Sequence, residues 1–337
     1  MIRTNIRTGL LFVAVLFVGA CGDAPANEDA GPVFALDRSV ADEIQPVDPD
    51  RTAVASAPVL RSLLQAQLTE HSDLSILAMR QAVDGTVEPS TVDALTANTD
   101  SLTLSLGLVY GPEGAAAFDQ LWTNHIEFFN DYARAIGAGR TAEAERAVAD
   151  LDHYESDFSS YADVVTSGNA DFHAVVHVLH GHITQLLEQA DAWATGDFER
   201  SYSLSADAHR HMDVIAGALA TGIALQQPDA FPGAVDDPIA VRCAARQLDG
   251  SRLLAARLDL RTAELTPSPE ATTAARAADA AEEAKVAPGL AVLVAESGTG
   301  LAAATDIAEL PAQYRTARQD LFAALAAESE CAGVLAG

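Results

Sequence analysis

The chain has 337 residues, enough for one large domain or two moderate ones. Its hydrophobic share is 49%, much of it alanine, and only 6% is aromatic, which suits packed helices and argues against a β-sandwich. Its 48 acidic residues outweigh 20 basic ones, and a net charge of -28 argues against nucleic acid as a partner, since a polyanion would be repelled.

At the N-terminus, Arg3 and Arg7 precede an apolar run from Leu10 to Val18, too short to span a bilayer as a mature helix. Val18-Gly19-Ala20-Cys21 follows, with small residues directly before a cysteine. This is the layout of a secretory signal, and it resembles the lipobox of bacterial lipoproteins. The resemblance implies a signal peptide over 1–20 and Cys21 as the lipidated first residue of an extracytoplasmic protein anchored to a bacterial membrane. Residues 21–57 are acidic and Pro-rich and read as a flexible tether. Setting Cys21 aside leaves one pair, Cys243 and Cys331. In an oxidising compartment the expectation for such a pair is a disulfide.

From 58 onward the apolar spacing is helical. Helices are predicted over 58–83, from Pro89-Ser90 to Gly111, from Pro112-Glu113 through Ile136, from Thr141 through Val165, from near Asn169 through Trp193, and from Asp197 to about Gln226. Their short connections make neighbours antiparallel. Beyond a Pro-rich break, further helices are predicted at 238–265, 270–286 and 311–332, while 289–306 fits strand or helix equally. The expected fold is therefore all-α: a six-helix array of three αα-hairpin repeats over 58–231, then a smaller helical C-terminal region over 232–337.

One phrase recurs in the array: a helical histidine followed fourteen residues later by glycine, at His71–Gly85, His125–Gly139 and His182–Gly196. The histidines lie 54 and 57 residues apart, about one helical hairpin. At 100° per residue, His71 falls between Leu64/Leu68 and Leu74/Ala78, and His125 between Leu121/Trp122 and Phe128/Phe129, both central to their apolar stripes. His182 lies at the edge of its stripe. His211 aligns with Leu204, Ala208, Ile215 and Ala218, while His153 and His209 fall away from the stripes, and His173, His177 and His180 form a separate row.

A polar ring on an apolar face costs about 1–3 kcal/mol unless it is hydrogen-bonded or coordinated. Converging imidazoles suit zinc or copper, and two on facing helices suit haem. Met79 and Met212 could add soft sulfur for copper. His71, His125, His182 and His211 are thus the candidate ligands. The same pattern also serves a core in which each imidazole bonds a neighbouring helix. No zinc-finger, His-Glu-x-x-His or Glu-x-x-His spacing is present, and neither is a nucleophile elbow or a phosphate loop.

The phrases Asn98-Thr99-Asp100-Ser101-Leu102, Leu121 to Tyr132 (LWTNHIEFFNDY) and Ala208 to Met212 (AHRHM) resemble a helical domain of exported bacterial proteins of unknown function, over about half of the mature chain. Some relatives carry labels beside copper-amine-oxidase-type domains, and the resemblance supplies no catalytic residues. Imelysin-like iron-uptake lipoproteins are a second all-helical comparison, but their Gly-x-His-x-x-Glu motif is not matched by Gly181-His182-Ile183-Thr184-Gln185. The functional expectation is a non-enzymatic metal-binding or metal-handling protein of the cell envelope. Its alternative is a metal-free helical scaffold or protein-interaction module.

Overall fold

The computed structural model describes residues 56–332. The signal peptide, Cys21 and nearly all of the tether lie outside the described residues. Within them the chain forms ten α-helices and one 3₁₀ turn, with no strand. The helices are α1 Ala57–Val83, α2 Pro89–Gly137, α3 Thr141–Val165, α4 Phe172–Ala194, α5 Phe198–Gln226, α6 Pro238–Leu265, α7 Pro269–Glu283, α8 Pro288–Ser297, α9 Thr299–Ala303 and α10 Leu310–Ala327. The stretch 289–306, ambiguous in sequence, holds most of α8 and all of α9. No helix among the described residues is long and apolar enough to cross a membrane.

The glycines of the repeated phrase end their helices in one way. Gly85, Gly139 and Gly196 have φ of +76°, +68° and +78°. In each case the following residue donates its N–H five residues back, to Gln81, Ala135 and Ala192, and the glycine itself donates three residues back. This paired stop needs the left-handed backbone that glycine adopts without a Cβ penalty.

α2 is two helices joined without a loop. Gly111 has φ 74° and ψ -178°, a region essentially restricted to glycine. Thr103 Oγ1 and Asp119 Oδ1 lie 3.2 Å apart across it. Sixteen residues of unbroken helix would separate them by about 24 Å, so the chain turns back at Gly111. Pro112 follows as the first residue of the second half, where a missing N–H costs nothing.

α1 runs through the centre. His71 to Ala82 are buried without interruption, including Ser72, Asp73, Ser75, Arg80 and Gln81. α2, α5 and α6 pack against α1, and α10 reaches it through Tyr314 and Arg318. One apolar cluster joins Leu74 and Leu77 of α1, Leu95 of α2, Leu253 and Leu254 of α6, Val294 of α8, and Leu321 and Leu325 of α10. The core therefore continues across the break near 231. Cys243 and Cys331, both buried, form the expected disulfide and tie the end of the chain to the start of α6.

Candidate functional site

His71 lies midway along α1, His125 on the second half of α2, and His182 on α4. All three are buried, at 1%, 4% and 5% exposure. The Nε2 atoms of His71 and His125 stand 3.1 Å apart, and the Ser75 hydroxyl lies 3.4 Å from the same His71 nitrogen. Trp122 packs beside both rings, with centroids 4.5 and 4.6 Å away, and Tyr154 stacks on His125 at 4.5 Å. His182 lines the same small cavity, together with Leu68, Phe158 and Met212. Its volume of about 20 Å³ accommodates one water or one ion. That is far too small for haem, which removes haem from the candidates.

Burial dominates the acid–base behaviour of these rings. It pushes His71 well below the ordinary histidine value, helped by the positive forms of His125 and His182. It pushes His125 down to about 3, against a smaller upward pull from the Trp122 and Leu121 carbonyls. His182 also falls to about 3, through burial and then through His211 and His125. All three are neutral near pH 7. The Nδ1 atoms of His71 and His182 have no hydrogen-bond partner. If His125 Nε2–H donates to His71 Nε2, His71 carries its proton on Nδ1, where nothing receives it. An unsatisfied buried donor of this kind costs about 1–3 kcal/mol. Three rings around one cavity do not make a ready three-ligand shell. Among the described residues, no group of three or more His, Cys, Asp or Glu side chains is arranged to hold a metal ion.

The other histidines divide differently from the helical-wheel reading. His211, expected in the centre of its stripe, is only partly buried and does not line the cavity. Its ring lies against Gly181 of α4, with its centroid 6.2 Å from that of His182. His173, His177 and His180 are exposed, and His180 Nδ1 pairs with Glu155 at 3.1 Å.

His209, expected to fall away from its helix's apolar stripe, is 1% exposed. Its Nδ1 meets Asp73 Oδ1 at 2.8 Å and its Nε2 meets the Ser251 hydroxyl at 3.1 Å. Tyr314 donates to the other Asp73 oxygen, and Arg318 donates to Tyr314 and to the Ala66 carbonyl. The connectivity is that of an acid–base–hydroxyl triad. Ser251, however, is buried in mid-helix, and its hydroxyl also reaches the Leu248 carbonyl at 3.0 Å. The group is a polar clamp joining α1, α5, α6 and α10. No local signal marks it in sequence, because Asp73 and His209 lie 136 residues apart.

A larger cavity of about 230 Å³ lies between α1, α5, α6 and the alanine face of α7. Asp259 is at one wall, pushed up to about 6 by burial although Arg80 beside it, at 2.6 Å, pulls it down. At another wall Glu282 holds Arg252 at 2.5 Å and Lys285 at 2.7 Å. Arg252 and Lys285 are thus both held by Glu282, and Asp259 by Arg80.

The chain matches no protein-family model, and no curated protein or solved structure is significantly similar to it.

Proposed function

We propose that this chain is a non-enzymatic, extracytoplasmic metal-binding protein, lipid-anchored at Cys21, in which His71, His125 and His182 take the ion. The observation that carries the reading is the 3.1 Å approach of the His71 and His125 Nε2 atoms at an ion-sized cavity. Two nitrogens held by one tetrahedral ion at about 2.0–2.1 Å stand roughly 3.4 Å apart. The pair needs little movement to share an ion, and His182 joins it by reorienting within the cavity it already lines. Burial keeps all three rings in the neutral form that ligates metals. On this reading the three glycine-stopped phrases are copies of one hairpin, and each copy delivers its histidine to a common point.

The lining also discriminates between zinc and copper. No carboxylate lines this cavity, so an ion there is held by neutral donors alone. A divalent ion brings twice the uncompensated charge into an apolar setting, and the Born cost rises with the square of the charge. Met212 adds a thioether to the same wall. Soft donors without counter-charge favour copper(I).

Copper analysis and titration against a coloured copper(I) chelator test the reading. The expected result is one copper per wild-type chain and at least tenfold weaker binding, about 1.4 kcal/mol, in His71→Ala and His125→Ala. Equal copper content in wild type and His125→Ala would remove the pair from the site. A metal-free core is the competing reading. It is favoured by the lack of a ready three-ligand arrangement among the described residues and by an N–H···N hydrogen bond as sufficient cause of the 3.1 Å contact. That reading expects no copper above background in wild type.

A further inference from the structure

We propose that His211 is a transfer ligand through which copper passes between solvent and the buried histidines, an inference that rests on the metal-binding reading above. His211 stands between the two populations of imidazole in this protein. On its inner side, its ring centroid is 6.2 Å from that of His182. On its outer side, it contacts α4 at Gly181, one turn after the exposed His177. The ring is half-buried, and its Nε2 is shielded from solvent without a hydrogen-bond partner.

Gly181 is what makes this position accessible. A Cβ at residue 181 would stand 3.0 Å from His211 Cε1 and 3.6 Å from Nε2. Even an alanine there makes the imidazole shift by a few tenths of an ångström, and a longer side chain makes it shift further. Glycine in a helix interior otherwise costs about 1 kcal/mol relative to alanine, and here it makes room for the imidazole.

The chemistry of the route follows from its donors. A copper(I) ion moving inward exchanges one neutral imidazole for the next, from His177 to His211 to His182, without entering the apolar core unligated. No bond other than the metal–nitrogen bonds is made or broken, and no electron moves. The net charge of -28 attracts cations to the chain as a whole.

The test is the rate of loading of the full chain with copper(I) supplied as its complex with a coloured chelator, followed by stopped-flow absorbance. His211→Ala and Gly181→Ala are compared with wild type, with His125→Ala as the site control and thermal melts to establish folding. The expected result is loading at least tenfold slower in His211→Ala and Gly181→Ala, at a final stoichiometry of one. His125→Ala should instead lose the stoichiometry. Wild-type rates in His211→Ala would overturn the transfer role while leaving the site intact. Loss of final stoichiometry in His211→Ala would also overturn it, making His211 a resident ligand. No copper in wild type would end the metal-binding reading and the route with it. If Gly181→Ala does not fold, His211→Ala alone decides.

Discussion

Asp73 shows what a single buried carboxylate does in this protein. It receives His209 at 2.8 Å and the Tyr314 hydroxyl, with Arg318 at 3.6 Å. Replacing it by alanine strands a guanidinium, an imidazole and a phenol in the core. Asp73→Ala should therefore cost about 3–5 kcal/mol, the range for breaking a buried pair from one side. Urea unfolding would reveal it, and a loss below 1 kcal/mol would show that the clamp is dispensable. The neutral histidines make a second prediction. In the unfolded chain they titrate near 6.5, whereas folded His125 and His182 titrate near 3. Between those values the unfolded state binds protons that the folded state refuses. Their contribution is fully present above pH 6.5 and is lost as pH falls toward 3, at up to about 1.4 kcal/mol per pH unit for each ring. Asp259, held near 6, acts in the opposite sense between its unfolded value and 6, but it is common to any histidine variant. Stability measured from pH 7 to 4.5 should therefore fall more steeply in wild type than in His182→Phe, and equal slopes would contradict this. The burial of His71 and His125 was legible from a helical wheel. His209 was not, because its partners come from α1 and α6, far away in sequence.

At the scale of elements, α1 and α2 carry the lesson. Ser72, Asp73, Ser75, Arg80 and Gln81 of α1 are residue types that ordinarily sit at a wet surface. They are buried because helices from elsewhere in the chain close over α1, and some find partners there, such as Asp259 for Arg80 and His209 for Asp73. Periodicity reports where apolar residues lie, and it cannot report a polar face satisfied from far along the chain. The ends of the helices were legible for the converse reason: glycine stops and proline starts act through backbone sterics alone. Gly111 is the sharpest of these. A Cβ in its φ/ψ region costs about 1–3 kcal/mol. Gly111→Ala should lower stability by that amount or shift the pairing of Thr103 with Asp119. Calorimetry reads the first and chemical-shift changes at those residues read the second; no change in either would refute the role of Gly111 as the reversal point.

Across the whole molecule, the core does not respect the boundary suggested by the Pro-rich break. Leu74 and Leu77 share one cluster with Leu253, Val294 and Leu321. A chain ending at 231 would expose that side of α1, with Arg80 deprived of Asp259 and Asp73 deprived of Tyr314 and Arg318. It should be protease-sensitive along α1 and lack a cooperative thermal transition, whereas the full chain should melt in one. A sharp, independent transition in the truncated chain would establish two separable domains. Sequence indicated the all-helical class and the disulfide. It could not show that the C-terminal helices complete the burial of α1, because that is a property of long-range packing.

The Cys243–Cys331 bond also has a mechanical meaning. It closes a covalent loop over a separation of 88 residues. A chain pulled from its two ends cannot extend through that loop, since the load passes across the sulfur bridge. At 3.3–3.6 Å per extended residue, the hidden length is about 300 Å. Stretched in an optical trap, the oxidised protein should yield a contour shorter than the reduced one by about this amount. Equal contours would mean that the bridge does not carry the load.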